Sequence, residues 1–478
     1  MATTPSAAPL ANVDAPYRAI LRLAAPTVFA MLSQSIVNEV DVIFFSRLPC
    51  PESSNGQAAL LPSLIVVWLF GGSLSAISVG TQALTARRYA ERKPDKAGAV
   101  LANSAFFCLL AGAIFSVAGY LALPTLFGFM IKVPEVRAVA ISYTRWRMLG
   151  VTSMAMTMAI KAFFDGIGKT HVHLVAAVVM NVMNVVFCWA FVFGHLGSPR
   201  LGVVGAGVSA FVATWIGLAI MLGYAWLVRV EFQPLRWSNL SQKLTWDILK
   251  LSIPAGLATV VMMFGFGLFS AVVGRLDADG GQQAAVTGVL VGACGTREAV
   301  NSAATTDIVE ILKLTFTACL AFGTAAATLV GQSLGARKPD DAARFGWASV
   351  RLGLVIFGVV GLCEGVLFTR PIISVISQSD AVRAAALVPM HIIGIITPII
   401  AVAMILSEAL FGAGNSKFVA VAQLALVFGC LLPLALLLGM VLHLGLVGIW
   451  LAAAVYFILA ATTMTLKFRQ GSWRTIEL

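Results

Sequence analysis

Long stretches without a single charge constrain this chain most. Asp, Glu, Lys and Arg are absent from residues 53–86, 97–131, 170–199, 201–228, 251–274, 384–407 and 418–466. A helix needs about 20 mostly apolar residues to cross a bilayer. Each run is therefore long enough for a span, and the last, broken near His443-Leu444-Gly445, holds two. Lipid offers the backbone no hydrogen-bond partner, so only helices and closed barrels cross it. Runs this long and non-alternating are helical rather than barrel strands. Composition agrees. Only 11% of the residues are charged and 59% are apolar, against about 25% and about 45–50% in soluble domains. The mean hydropathy is +0.93. An ordinary soluble enzyme and a disordered chain are both excluded.

Counting the neutral runs and the weaker segments between them gives twelve spans, near 19–46, 58–87, 99–123, 137–164, 172–195, 202–228, 249–275, 305–334, 345–368, 384–411, 418–441 and 445–466. Residues 1–18 read as a polar tail without a cleavage site, so the first span is retained. Lys and Arg total 32 against 21 Asp and Glu. The excess gathers after even-numbered spans, as at Arg87, Arg88, Arg92 and Lys93, at Arg337, Lys338 and Arg344, and at Lys467 and Arg469. Cytoplasmic loops favour such residues, so both termini are expected in the cytoplasm. The positive charge then marks membrane topology, not nucleic acid. The seven cysteines form no CxxC pair, which argues against zinc and a disulfide framework.

The chain repeats itself. Arg92-Lys93-Pro94-Asp95 recurs as Arg337-Lys338-Pro339-Asp340, 245 residues later. Gly166-Ile167-Gly168 recurs as Gly412-Ala413-Gly414, Val136-Arg137-Ala138 as Val382-Arg383-Ala384, and Leu201-Gly202 as Leu444-Gly445, all in the same order. The spacing covers six spans, an even number, so both halves insert the same way round. The expected fold is an all-α membrane protein of twelve transmembrane helices in two six-helix lobes, related by a pseudo-two-fold axis along the membrane normal. The lobes run 19–228 and 249–468, joined by a linker at 229–248, with an external insertion at about 276–304 and a tail at 469–478.

Asp41 is the leading candidate for chemistry. It lies deep in the first span, with Asn38 and Gln34 on the same face. A carboxyl in the bilayer costs roughly 2.5–3.5 kcal/mol on insertion scales and marks function by default. It can pass a proton across, or hold sodium with amide oxygens. The plain alternative is a helix-end acid paired with Arg47. Asn181 and Asn184 form a second polar face, read either as interhelical glue or as partners of Asp41. Ser209 and Thr214 offer hydroxyls, unless these bond their own backbone. Lys161 with Asp165, and Glu310 with Lys313, have helix-pair spacing. Glu364 and Glu408 are candidate gate residues, and Arg145 and Arg147 are expected to snorkel to the interface. Met262 and Met263 line an adaptable cavity or face lipid. No phosphate-binding loop is present, so neither ATP drive nor an ATPase subunit is expected.

Several motifs together resemble the multidrug and toxic compound extrusion (MATE) transporters. They are Val40-Asp41, Tyr143-Thr144-Arg145-Trp146-Arg147-Met148-Leu149-Gly150, Phe164-Asp165-Gly166-Ile167-Gly168-Lys169-Thr170, Asn181-Val182-Met183-Asn184, Leu201-Gly202-Val203-Val204-Gly205-Ala206 and Val330-Gly331-Gln332-Ser333-Leu334-Gly335-Ala336. The resemblance implies export of organic solutes in exchange for protons or sodium, by a non-enzymatic protein that needs no cofactor and acts as a monomer in a bacterial inner membrane. No acid lies deep in 251–274, and only His391 is ionisable between 384 and 407. This pattern is similar to the DinF-type rather than the NorM-type branch, which implies an ion site in the N-terminal lobe. Cys188 stands where many members carry Asp or Asn. The rival readings are a lipid-linked oligosaccharide flippase of related fold and a non-transporting receptor or scaffold.

Overall fold

Proline sets where many of the helices begin. Pro16, Pro94, Pro134 and Pro339 each occupy the first turn of a helix, where a missing N–H costs nothing. The computed structural model describes residues 14–49, 52–131, 133–233, 239–284, 300–376 and 380–476. Side chains are described for all of these except 36–39, 42, 46, 54, 61 and 277–284. Twelve long helical segments follow one another: α1 Pro16–Ser46, α2 over 52–90, α3 Pro94–Met130, α4 over 134–166, α5 His171–Phe193, α6 Val203–Leu227, α7 Gln242–Ala284, α8 Val300–Gly335, α9 Pro339–Leu367, α10 Asp380–Gly412, α11 Ser416–Val441 and α12 Gly445–Gln470. Ten are long and apolar enough to cross a membrane, and α1 and α4 complete the count among the described residues. No strand occurs among them. The chain is a multi-pass membrane protein.

Several helices depart from a regular α-helix. α4 is two helices, Pro134–Leu149 and Val151–Gly166, meeting at Gly150. A π-turn interrupts α2 at Trp68–Gly72, another forms the end of α9 at Cys363–Leu367, and two more lie in α11. Such turns recur at functional sites. The ends also differ from the sequence reading. α7 runs on to Ala284 and α8 begins at Val300, so both ends of the expected insertion at 276–304 are helix extension, and 285–299 lie outside the described residues. The linker holds a short helix, Arg229–Phe232, and the start of α7. The C-terminal tail turns back so that Trp473 stacks on Phe468, fully buried.

The repeat is visible down to single dihedral angles. Arg92 and Arg337 have φ of 58° and 59°, and Gly168 and Gly414 have φ of 79° and 87°. The glycines end their helices the same way, since Lys169 N and Asn415 N each donate 2.8 Å back to the carbonyls of Phe164 and Leu410. That 6→1 bond needs a left-handed residue, which glycine supplies cheaply. Helix contacts obey the same symmetry. α1 packs on α8 as α7 packs on α2, α1 on α9 as α7 on α3, and α4 on α8 as α10 on α2. The α2–α8 contact maps onto itself and lies on the axis.

The lobes are bonded together towards the end that carries the basic loops. Gln82 Nε2 of α2 donates to Thr324 O at 2.9 Å and Thr328 Oγ1 at 2.8 Å. Gln332 Nε2 donates to Gly166 O at 2.8 Å, and Arg87 Nη2 to Ala413 O at 2.9 Å. A net 0.5–1.5 kcal/mol is typical of one such bond, so a few of them bias the lobe arrangement without freezing it.

Candidate functional site

Asp41 is drawn into the N-terminal lobe by helix geometry. It lies five residues from the C-terminal end of α1, and Cys188 lies five residues from the same end of α5, which runs parallel to it. Cys188 Sγ therefore meets Asp41 at the same depth and donates to Oδ1 at 3.6 Å. On α4, Tyr143 and Arg147 are one turn apart and share a face. The Tyr143 hydroxyl donates to Asp41 Oδ2 at 3.2 Å and accepts from Arg147 Nη1 at 2.7 Å. Arg147 also lies over the Tyr143 ring, 5.6 Å from its centroid. Phe45 packs edge-on against Tyr143, and Val192, Val203 and Ala206 close the apolar wall. Asp41 is buried, at 8% exposure.

The result is a relay from guanidinium to phenol to carboxyl. It replaces the plain reading in which Asp41 pairs with Arg47. Arg47 is exposed at the helix end, and the charge acting on Asp41 is that of Arg147. Arg147 turns inward instead of snorkelling because the phenol and carboxyl satisfy it there. Arg145, two residues away, does face outward and lies over Tyr120. Tyr143 and Arg147 were not singled out from the sequence as partners of Asp41. Their one-turn spacing was the available signal.

The other candidates divide. Asn181 Nδ2 donates to Ser33 Oγ at 2.7 Å and ties α5 to α1, while its Oδ1 is buried without a partner among the described residues. Asn184 is buried, but among the described residues it makes no bond to Asp41, because Cys188 one turn further on occupies that place. The Asn38 side chain lies outside the described residues. Gln34 is half-buried and likewise makes no bond to Asp41 among them. Ser209 and Thr214 bond the carbonyls of Ala206 and Phe211 three residues back, at 2.8 and 2.9 Å. Met262 and Met263 are exposed on α7.

Further charged groups lie away from this relay, one of them at the lobe interface. Lys161 Nζ and Asp165 Oδ2 form a buried pair at 2.6 Å. Thr328 of the other lobe donates to the Asp165 carbonyl at 3.0 Å, and Glu408 of α10 feels the Lys161 charge from across the interface. In the C-terminal lobe, Glu364 is buried between Thr315 and Thr397. Glu310 and Lys313 pair at 2.5 Å, both partly exposed. A cleft of about 460 Å³ between α2, α7 and the α10–α11 turn, lined by Lys250 and Lys417 among others, touches neither Asp41 nor Glu364. Among the described residues no group of three or more His, Cys, Asp or Glu is placed to hold a metal.

Comparison with known proteins adds the family context. Residues 26–190 and 283–437 match the MatE family, one block in each lobe. A protein of Thermotoga maritima named "Probable multidrug resistance protein NorM" is 24% identical over 473 residues, covering 95% of this chain and 92% of its own. A solved structure of a multidrug resistance MATE family transporter of the MOP superfamily, in an outward-facing conformation, superposes with a TM-score of 0.83 at 20% identity over 95% of both chains. A MOP superfamily transporter from Pyrococcus furiosus also gives 0.83, at 19% identity over 97% of both chains.

Proposed function

The chain belongs to the MatE family, the multidrug and toxic compound extrusion transporters, and from that premise we propose that it exports organic solutes in exchange for protons, with Asp41 as the coupling carboxyl. The observation that carries this reading is the buried Asp41–Tyr143–Arg147 relay. Ionised, Asp41 is held to α4 through the phenol and by the attraction of Arg147. Protonated, it loses that attraction, and α1 is freed to move relative to α4. A ligand shifts such an equilibrium only by its differential affinity for the two arrangements. At about 1.4 kcal/mol per pKa unit, a two-unit difference in proton affinity supplies about 3 kcal/mol of coupling, comparable to the few hydrogen bonds that join the lobes.

The donor set favours a proton over sodium. A hard cation seeks several oxygen ligands. Among the described side chains, Asp41 meets one phenol, which already accepts from Arg147, and one thiol. The guanidinium close by repels a second cation. The basic loops support a topology with both termini in the cytoplasm, and the bacterial relatives support a bacterial inner membrane, where the protein would act as a monomer. The lobes, bonded at that end, then stand in the outward-facing arrangement.

The test is flux in proteoliposomes, with pH and sodium gradients imposed separately and ethidium as the first of a panel of organic cations and anions. Export driven by the pH gradient and indifferent to sodium is expected. Export that follows the sodium gradient alone overturns proton coupling, and no flux with any probe overturns the exporter reading.

A further inference from the structure

Glu364 is a buried acid that the coupling scheme does not use. It is 8% exposed and lies in the π-turn Cys363–Leu367 of α9. Thr315 of α8 donates to its Oε2 at 2.9 Å, and Thr397 Oγ1 of α10 lies 3.4 Å from Oε1. A threonine has one hydroxyl proton. For Thr397 the nearer acceptor is the Ile393 carbonyl, at 2.9 Å. With the proton placed there, Thr397 Oγ1 can only accept from Glu364. A carboxylic acid satisfies both contacts, with Oε1–H donating to Thr397 and Oε2 accepting from Thr315. A carboxylate leaves Oε1 facing a lone pair. Cys319 of α8 is the titratable group beside it, and α10 presents Thr397 and the backbone of Gly394. Among the described residues no Lys, Arg or His charge acts on Glu364, and a buried, unpaired charge is costly.

The duplicated position shows that these residues belong together. With α3 and α9 aligned on Pro94 and Pro339, Glu364 corresponds to Gly119 and the same spacing of 245 relates Thr315 to Phe70, while α4 and α10 aligned on Gly166 and Gly412, 246 apart, relate Thr397 to Val151. In the N-terminal lobe that place is apolar: a Cβ on Gly119 would meet Met148 Sδ at 2.6 Å and the Phe70 ring at 3.4 Å. All three positions are polar in the C-terminal lobe. The surroundings also allow movement. A π-turn that shifts along its helix rotates the side chains it passes by about 100°. Glycines line the α9–α10 contact, where a Cβ on Gly365 would lie 2.3 Å from Gly394 Cα, so no interlocking side chains oppose a slide.

We propose that Glu364, Thr315 and Thr397 form a second proton-binding site, in the C-terminal lobe, loaded in this lobe arrangement and emptied when the π-turn of α9 carries Glu364 off its two threonines. The O–H bond then breaks and water in the opened lobe takes the proton. The proposal deepens the antiporter reading by adding a second exchangeable proton to that of Asp41, and its first readout needs no flux.

The experiment is infrared spectroscopy of the liposome-reconstituted full chain, following the carbonyl band of protonated carboxyls from mildly acid to alkaline pH. The wild type should show a component that is absent in Glu364→Gln, retained in Asp41→Asn and shifted in Thr315→Val, which loses the bond to Oε2. In ethidium export, the rate should depend on pH more steeply than a single proton allows, and Glu364→Gln should reduce this to a one-proton dependence. An unchanged acid band in Glu364→Gln, or an unshifted one in Thr315→Val, overturns the site. A band present at every pH together with unaltered steepness makes Glu364 a permanent structural acid and overturns the exchange. Absence of proton-driven export with the band behaving as expected would strike the antiporter reading and not the site.

Discussion

The two lobes share one backbone plan but bury their acids in different places. Aligned on Pro26 with Pro254 and Arg47 with Arg275, Asp41 of α1 corresponds to Phe269 of α7. The repeat places Pro389 and Ile393 opposite Tyr143 and Arg147. Where the N-terminal lobe has a carboxyl, a phenol and a guanidinium, the C-terminal lobe has an apolar cluster, with Phe269 edge-on to Trp450. The relation reverses at Glu364, whose counterpart contact is glycine, phenylalanine and valine. The settings differ in kind as well as in place. Asp41 faces an arginine through a phenol, which suits the ionised form, while Glu364 sits among hydroxyls with no cation, which suits the neutral acid. Duplication set the backbone, and the side chains then made each lobe polar at one place where its twin stayed dry.

The strongest way to break this contrast is to move the acid. Phe269→Asp puts a carboxyl where no phenol or guanidinium waits. Loss of a buried ring costs about 3–5 kcal/mol, and an unpaired buried acid adds to that. A steep fall in Tm and in membrane yield is expected. A variant as stable as wild type would show that the position is wet and the contrast false. A smaller effect follows from cutting the relay. Tyr143→Phe keeps the ring against Phe45 but removes the hydroxyl between Asp41 and Arg147. A charge-assisted bond of roughly 1.5–3 kcal/mol predicts about a tenfold or greater loss of pH-driven ethidium export, with Tm little changed. Full activity would remove Tyr143 from the relay. The smallest effect concerns the region the lobes share. Gln332→Ala deletes one inter-lobe bond, worth about 1 kcal/mol. Spin-label distances between positions 92 and 417 should show the separated arrangement gaining roughly fivefold in population, and an unchanged distribution would show that this bond does not bias the lobes.

Much of the fold was legible because lipid is a demanding solvent. Charge-free runs mark spans, and the Arg-Lys-Pro-Asp and Gly-x-Gly pairs sit at turns whose dihedral angles do recur in both halves. Asp41 stood out because an acid there is conspicuous. Its partners did not. Arg147 was assigned to the interface on the general behaviour of arginine, and only packing against α1 shows that a buried phenol and carboxyl hold it inward. Helix spacing points equally to Asn184, but Cys188 is the residue level with Asp41. Glu364 was noticed without its setting, since Thr315 and Thr397 lie on other helices, 49 and 33 residues away. The length of α7 was also missed, because the Gly- and Ala-rich stretch after Arg275 reads as loop while its first residues continue the helix to Ala284.

The coupling role of Asp41 is most directly tested by comparing two fluxes in the same Asp41→Asn vesicles. Ethidium exchange at equal concentrations on both sides, with no ion gradient, should continue near the wild-type rate, because the lobes still move. Accumulation against a concentration difference under an imposed pH gradient should vanish. Undiminished uphill accumulation in that variant would contradict the account.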